Sequence, residues 1–276
     1  SRPDQIKVLR QTILNLAVQG KLVKQDPADE PASAFLKRLK AEKARLVKEG
    51  VIRKEKLIPS STMIDPEYDL PMGWAWARLN ELAQIGTGLT PSKAQPGYYL
   101  DGAIPWINSS ATSQVVISEA KHFVTALAVK ECRLKMYPSG SLVVALYGQG
   151  RTRGQVAELG LDATVNQACA VVDWLPSFHE IKDYIRITLE QQYEEMRDTA
   201  DGGPQPNLNV GKIKNRIVPL PPLAEQQRIV AKVDTLIELC DKLAVAKTTA
   251  DNDRVRLLDV LLHNSLAQDE YNREAA

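Results

Sequence analysis

Apolar residues recur at three- and four-residue spacing at Ile6, Leu9, Ile13 and Leu16, which predicts an amphipathic helix with Gly20 placed to stop it. The stretch Gln25-Asp-Pro-Ala-Asp-Glu-Pro31 is broken by two prolines and reads as a linker. Helical spacing resumes from Ala34 to Gly50 through Phe35, Leu39 and Leu46, and Val51 to Leu70, rich in Lys, Pro and Ser, reads as an extended connector. From Pro71 the helical period fades. Glycines and prolines arrive every few residues between short β-rich runs at Ile104–Ile107, Gln114–Ile117, Ser141–Leu146 and Ala168–Val172. A helix is expected over Phe178–Met196, then a turn-laden loop at Asp201-Gly-Gly-Pro-Gln-Pro206. Ile217–Leu220 reads as a returning strand closed by Pro221-Pro222.

Beyond those prolines the pattern changes again. Ile229, Val233, Leu236, Cys240 and Leu243 alternate by four and three, the seam of a coiled coil in a helix that starts near Leu223. The seam lapses through Lys247 and Asp251 and resumes at Val255, Leu258 and Leu262, a slip expected from an inserted four-residue step. A helix of about 40 residues spans roughly 60 Å, more than a small domain covers alone, so another helix should lie alongside. The plainer alternative is one amphipathic helix docked on its own domain. The expected fold class is α+β: N-terminal helices and linker over 1–70, an irregular β-rich domain over 71–222, and a long C-terminal coiled-coil helix over 223–276.

Length and composition place this pattern in a folded chain: 276 residues with 44% hydrophobic content supply at least one packed core. A net charge of +1 argues against a non-specific nucleic-acid coat, but the charge is uneven. Residues 1–65 hold 14 Lys and Arg against 8 Asp and Glu, whereas residues 223–276 hold 7 against 10, so the two ends can attract one another. Between Lys121 and Arg153, the bases Lys121, Lys130, Arg133, Lys135, Arg151 and Arg153 face the single acid Glu131, which suits a phosphate-facing surface or a merely solvated cluster. Cys132, Cys169 and Cys240 are scattered, as are His122, His179 and His263, so neither a disulfide framework nor a zinc site is indicated and a reducing, cytoplasmic setting is expected. No apolar run is long enough to span a bilayer, so no membrane partner is expected. Beginning at Ser1, the chain reads as a processed product or a piece of something longer.

The usual signatures of bond chemistry are missing. Gly86-Thr-Gly-Leu-Thr-Pro-Ser-Lys93 lacks the Gly-Lys-Ser/Thr ending of a phosphate-binding loop. Asp101 with Glu119 and Lys121 has the spacing of a metal-dependent nuclease site, two carboxylates for a cation and a lysine near the phosphate, but so short a pattern arises often by chance. A stand-alone nuclease on those three residues and a protein-interaction scaffold that never touches DNA are the rival readings to a non-catalytic chain.

Several blocks, in order, carry a resemblance. Leu70-Pro-Met-Gly-Trp-Ala-Trp-Ala-Arg-Leu79, Gly88-Leu-Thr-Pro-Ser-Lys93 and Gly102-Ala-Ile-Pro-Trp-Ile107 are followed by Tyr147-Gly-Gln-Gly-Arg-Thr-Arg-Gly154 and Thr164-Val-Asn-Gln-Ala168. Gln205-Pro-Asn-Leu-Asn209 and Val218-Pro-Leu-Pro-Pro-Leu-Ala-Glu-Gln-Gln-Arg-Ile229 complete the series, and Leu9–Leu14, Gly20–Val23 and Ala41–Leu46 fit the same pattern outside the domain. Together they resemble the DNA specificity subunits of type I restriction-modification systems, with one target-recognition domain where a full-length member carries two. The resemblance implies a chain that binds double-stranded DNA and performs no catalysis itself. It implies methyltransferase subunits that carry S-adenosylmethionine and methylate an adenine, and an endonuclease/translocase subunit that uses Mg and ATP. A second copy of the chain, or a second half-subunit, would complete the pair of recognition domains.

Within such a domain, base edges are read by side chains with paired donors and acceptors. The candidates are Gln149, Arg151 and Arg153 in a loop thinned by glycines, Lys93 as a phosphate contact, Asn108 and Ser109 after a β-run, and Gln205 and Asn207 in the exit loop. Each has a plain alternative in a surface turn or in satisfying its own loop's backbone. Ile229, Val233, Leu236, Cys240, Leu243, Val255, Leu258 and Leu262 are the candidate partner-binding stripe. Trp74, Trp76 and Trp106 are assigned to the core, and Asn166-Gln167 to a buried pair that fixes a strand.

Overall fold

A computed structural model describes the backbone of residues 3–52, 69–148, 152–201 and 208–274, with side chains described for 5–52, 69–148, 152–197 and 208–263. Helix α1 is Pro3–Val18 and α2 is Ala32–Lys48. Then come β1 (Ala75–Arg78), α3 (Leu79–Leu82), β2 (Gln84–Thr87), β3 (Ile104–Ile107), β4 (Val116–Ile117), β5 (Phe123–Val124) and α4 (Ala126–Glu131). They are followed by β6 (Leu142–Ala145), β7 (Val156–Leu159), β8 (Thr164–Val165), β9 (Cys169–Asp173), α5 (Lys182–Gln191), α6 (Tyr193–Asp201), α7 (Val210–Lys214), β10 (Ile217–Leu220) and α8 (Leu223–Glu274). The fold is mixed α+β. Chain contacts divide it into two compact units, one of Ser1–Ile13 with Ala231–Ala276, the other of Leu14–Val230.

In the larger unit the strands form three sheets. Strands β2-β9-β6-β7-β4 make the largest, antiparallel except for the β4–β7 pair; β5-β3-β8 make a second; β1 and β10 pair as an antiparallel ribbon. That ribbon is the return expected of Ile217–Leu220, and it sets Ala75 opposite Leu220. Ile107 and Val165 from the second sheet pack with Val143, Val171 and Leu159 from the first and with Tyr137, all buried, so the core lies between those sheets. Alternation along β3 turns Ile104 and Trp106 the other way, onto a small cluster of Val124, Ala128 and Leu134.

Several elements differ from their expected form. In α1 the buried positions are Ile13, Leu14, Ala17 and Val18, while Leu9 is 42% exposed, so the apolar stripe lies beside the one expected. The helix over Phe178–Met196 is interrupted: α5 ends before Gln192, whose amide Nε2 donates to the Ile217 carbonyl, and α6 begins at Tyr193. The connector expected over Val51–Leu70 falls largely on residues 53–68, and the loop Asp201–Pro206 largely on 202–207, both outside the described residues. Gly20 does stop α1: its φ of 68° is left-handed, and a Cβ there would come within 2.5 Å of Pro71 Cγ.

The start of α8 is pinned inside the larger unit. Trp74, buried at 8% exposure, packs edge-on to Tyr184 with centroids 6.4 Å apart and donates its indole N–H to Glu225 Oε2 at 3.0 Å. Arg228, one turn further along α8, reaches Asp29 at 2.6 Å. Burial raises the Glu225 carboxyl above its ordinary value, against the opposing pull of the Trp74 donor and the Arg228 charge. A carboxyl raised in the folded state stabilises the fold below its unfolded pKa and loses that contribution as pH rises through the folded value. Glu225→Gln is therefore expected to match or exceed the wild type in Tm at neutral pH and above, with the gap closing as pH falls through the carboxylate range. Thermal melts of both proteins across that range check it; a gap that widens in acid would contradict it.

Candidate nucleic-acid interface

The second sheet carries an open groove of about 760 Å³ on its outer side. Its position follows from two strand pairings. Strand β3 runs parallel to β8 with Ile107 opposite Val165, so the residues that follow, Asn108 and Asn166, emerge side by side, and the Asn166 N–H donates to the Ile107 carbonyl at 2.9 Å. On the other edge β3 runs antiparallel to β5, which brings Lys121, His122 and Phe123 to the same rim. The third wall is the loop Gly88–Lys93, held by Leu89 N–H on the Val165 carbonyl at 3.2 Å and by Thr90 Oγ1 on Gln167 Oε1 at 2.6 Å. Trp106 ties wall to floor: its indole N–H donates to the Leu89 carbonyl at 3.1 Å while its ring meets Tyr99 and His122 edge-on.

Two details of chemistry follow. Asn108 caps a short 3-10 turn, Ser109–Ser113, by accepting with Oδ1 from Ser110 N–H at 3.1 Å and Ser110 Oγ at 2.6 Å. Asn166 likewise accepts with Oδ1 from Ala168 N–H at 3.0 Å. A backbone N–H only donates, so in each amide the oxygen must face the turn and the NH₂ must face away from it. The lysines Lys93 and Lys121 are exposed, and neither has an ion-pair partner among the described residues. Asp101, held at φ 57°, also lines the groove.

Of the sequence candidates, Lys93 and Asn108 are thus brought together, and Lys121, His122 and Asn166 join them. Ser109 is half-buried in the 3-10 turn, its carbonyl accepting from Thr112 Oγ1 at 2.8 Å. Arg153 is half-buried, and the next residue, Gly154, faces Tyr193 and Met196. Gln149, Arg151, Gln205 and Asn207 lie outside the described residues. Trp74 is core, but Trp106 is only partly buried and forms groove wall, because its end of β3 faces the small cluster rather than the main core. Asn166 and Gln167 are not a buried pair: Asn166 is half-buried and Gln167 exposed, since β8 ends at Val165 and the chain turns there.

Of the three residues in the nuclease pattern, Asp101 lines the wide groove, Glu119 lines a small depression beside it, and Lys121 lies on both. Among the described residues there is no group of three or more His, Cys, Asp or Glu placed to hold a metal ion. On α8, Ile229 in the larger unit is buried, as are Val233 and Cys240 in the smaller one, where Arg10 pairs with Asp241. Leu236 is half-buried, and Leu243, Val255, Leu258 and Leu262 are exposed, so the seam is covered in its first half and open beyond Cys240. Among the described residues no helix is long and apolar enough to cross a membrane.

Residues 71–249 match the family model described as the type I restriction modification DNA specificity domain. The chain belongs to that family. It is 31% identical over 281 residues to the specificity subunit of the type I restriction enzyme EcoEI of Escherichia coli, covering 95% of this chain and 45% of that protein. The EcoAI specificity subunit of the same organism is 29% identical, with 93% and 44% covered. The chain therefore spans less than half the length of these curated relatives. Among solved structures, the HsdS subunit from Thermoanaerobacter tengcongensis superposes with a TM-score of 0.51 at 17% identity, covering 88% of this chain and 51% of that one. A structure reported under complex assembly and conformational transition of the type I R-M system superposes at 0.53 and 18% identity, covering 91% and 55%. These two likenesses concern the fold. The family match begins at Pro71 and runs on into α8, taking in the groove and the Trp74–Glu225 pin.

Proposed function

We propose that this chain is the sequence-reading component of a type I modification and restriction complex and performs no bond chemistry itself. The observation that carries the reading is the family match over the groove-bearing domain and the first half of α8. On this reading the domain binds double-stranded DNA, and α8 is the arm on which other proteins dock. Methyltransferase subunits carrying S-adenosylmethionine would flip out and methylate an adenine. An endonuclease/translocase subunit with Mg and ATP would cut unmodified DNA. A second recognition domain, on the same polypeptide, on a second copy or on a second half-subunit, reads the other half of an interrupted site, and the open seam at Leu243, Val255, Leu258 and Leu262 is a surface offered for pairing.

The test is a salt series on the chain assembled with its methyltransferase partner. Affinity for a specific duplex should fall linearly on logarithmic axes as salt rises, with a steep slope set by the phosphates neutralised. Absence of measurable DNA binding at any salt would favour a pure protein scaffold. In the same assembly, Arg151→Ala combined with Arg153→Ala is expected to abolish or strongly weaken adenine methylation while the thermal melt is preserved. Unchanged methylation would remove the glycine-rich loop from the reading surface.

A further inference from the structure

We propose that the groove over the β5-β3-β8 sheet seats one sugar–phosphate ridge of the duplex, so that it positions the domain on DNA and does not itself choose bases. The inference rests on the DNA-reading role proposed above.

Three observations carry it. First, the groove is concave and open, about 760 Å³, and its walls include Tyr99, Trp106 and Phe123, apolar surface suited to a deoxyribose edge. A side chain that reads a base must project into a DNA groove, whereas a concave surface receives a ridge, and the ridge of a duplex is its backbone. Second, the amides and lysines that the groove offers are donors, alongside His122 and Tyr99, which can donate or accept, and Asp101, which accepts. The oxygens of Asn108 and Asn166 are committed to their own turns, and neither amide nitrogen has a hydrogen-bond partner among the described residues. Lys93 and Lys121 add two ammonium groups. A phosphodiester only accepts, so a donor set is its complement; adenine or cytosine would also require a matching acceptor, and guanine, whose major-groove edge only accepts, is set aside by the concave shape and not by the donors. Third, the two amides leave adjacent parallel strands at the same register, roughly one strand spacing, ~4.8 Å, apart, on a rigid sheet. Such spacing lets both donate to a single phosphate group.

Among the described residues that line the groove, Asp101 is the one acid, and it makes the proposal directional. A carboxylate beside a seated phosphate repels it, so Asp101→Asn, a change that tolerates the positive φ, should tighten DNA binding.

The experiment measures binding of the full chain, assembled with its methyltransferase partner, to a labelled duplex pool, with the bound fraction sequenced. Asn108→Asp and Asn166→Asp keep the turn-capping oxygen and replace the outward donor by an anion. Each should weaken binding about tenfold or more, equally for all sequences, with the selected motif and the melt unchanged. Lys93→Ala and Lys121→Ala should each flatten the logarithmic salt slope by about 0.9. Asp101→Asn should bind more tightly than wild type. A shifted base preference in either aspartate variant would overturn the proposal in favour of direct base reading. Wild-type affinity in all of them would overturn it outright. A wild-type assembly that fails to bind DNA would instead count against the function proposed above.

Discussion

Trp74→Ala is expected to destabilise the protein more than any other single substitution considered. The indole is 8% exposed, meets Tyr184 edge-on at 6.4 Å, and supplies the donor for a carboxylate that is itself only 1% exposed. Truncating a buried tryptophan costs about 3–5 kcal/mol, and stranding a buried acceptor adds about 1–3 kcal/mol. Against a typical total of about 5–15 kcal/mol, the sum of about 4–8 kcal/mol removes about half or more of the stability of a typical domain. Trp74→Phe partly separates the two contributions: it keeps a six-membered aromatic ring in the pocket and loses the donor and some volume, so its melt should fall between wild type and Trp74→Ala. A denaturant titration of the three proteins gives the comparison, and an Ala variant within about 1 kcal/mol of wild type would show that the pin at the start of α8 is not structural.

Gly88→Ala is expected to damage the groove more than the fold. A Cβ at this position would lie 1.6 Å from the Val165 carbonyl oxygen and 2.4 Å from its carbon, backbone atoms that cannot swing aside. The loop must therefore lift off β8, straining the Leu89 N–H bond to Val165 and with it the Trp106 indole bond to Leu89. Overpacking of this kind costs about 1–3 kcal/mol or more, and displacement of Lys93 and the loop wall should lower DNA affinity beyond what the lost stability explains. Gly97→Ala is the control, because its Cβ would find only Leu127 Cδ2 at 3.9 Å, and it should change neither melt nor binding. Equal behaviour of the two variants would contradict the close approach at Gly88.

Features with a local signature were legible in the sequence. The alternation from Ile229 to Leu243 announced α8, the paired prolines at 221 and 222 its start, and Ile217–Leu220 the returning strand, since period, breakers and apolar runs are properties of neighbouring residues. The groove was not, because it depends on pairings between distant segments. Nothing in Trp106 or Thr164 alone says that they are partners on parallel strands, so the sequence points to Asn108 but reads Asn166, beside it, as buried. The apolar neighbours of Trp106 read as core, yet alternation along β3 gives the main core to Ile107 and leaves the tryptophan to the groove. The interruption after α5 escaped for a related reason: Gln192 suits a helix, and only its bond to Ile217 on another element marks the break.

On the proposed role, this chain chooses the DNA sequence on which a partner acts. Expressing it with its methyltransferase partner and mapping every methylated adenine across a genome tests that choice. Methylation should be confined to one motif, absent when this chain is omitted and redirected when its recognition domain is exchanged for that of a relative. Methylation at the same motif with and without the chain, or scattered methylation with no motif, would contradict it.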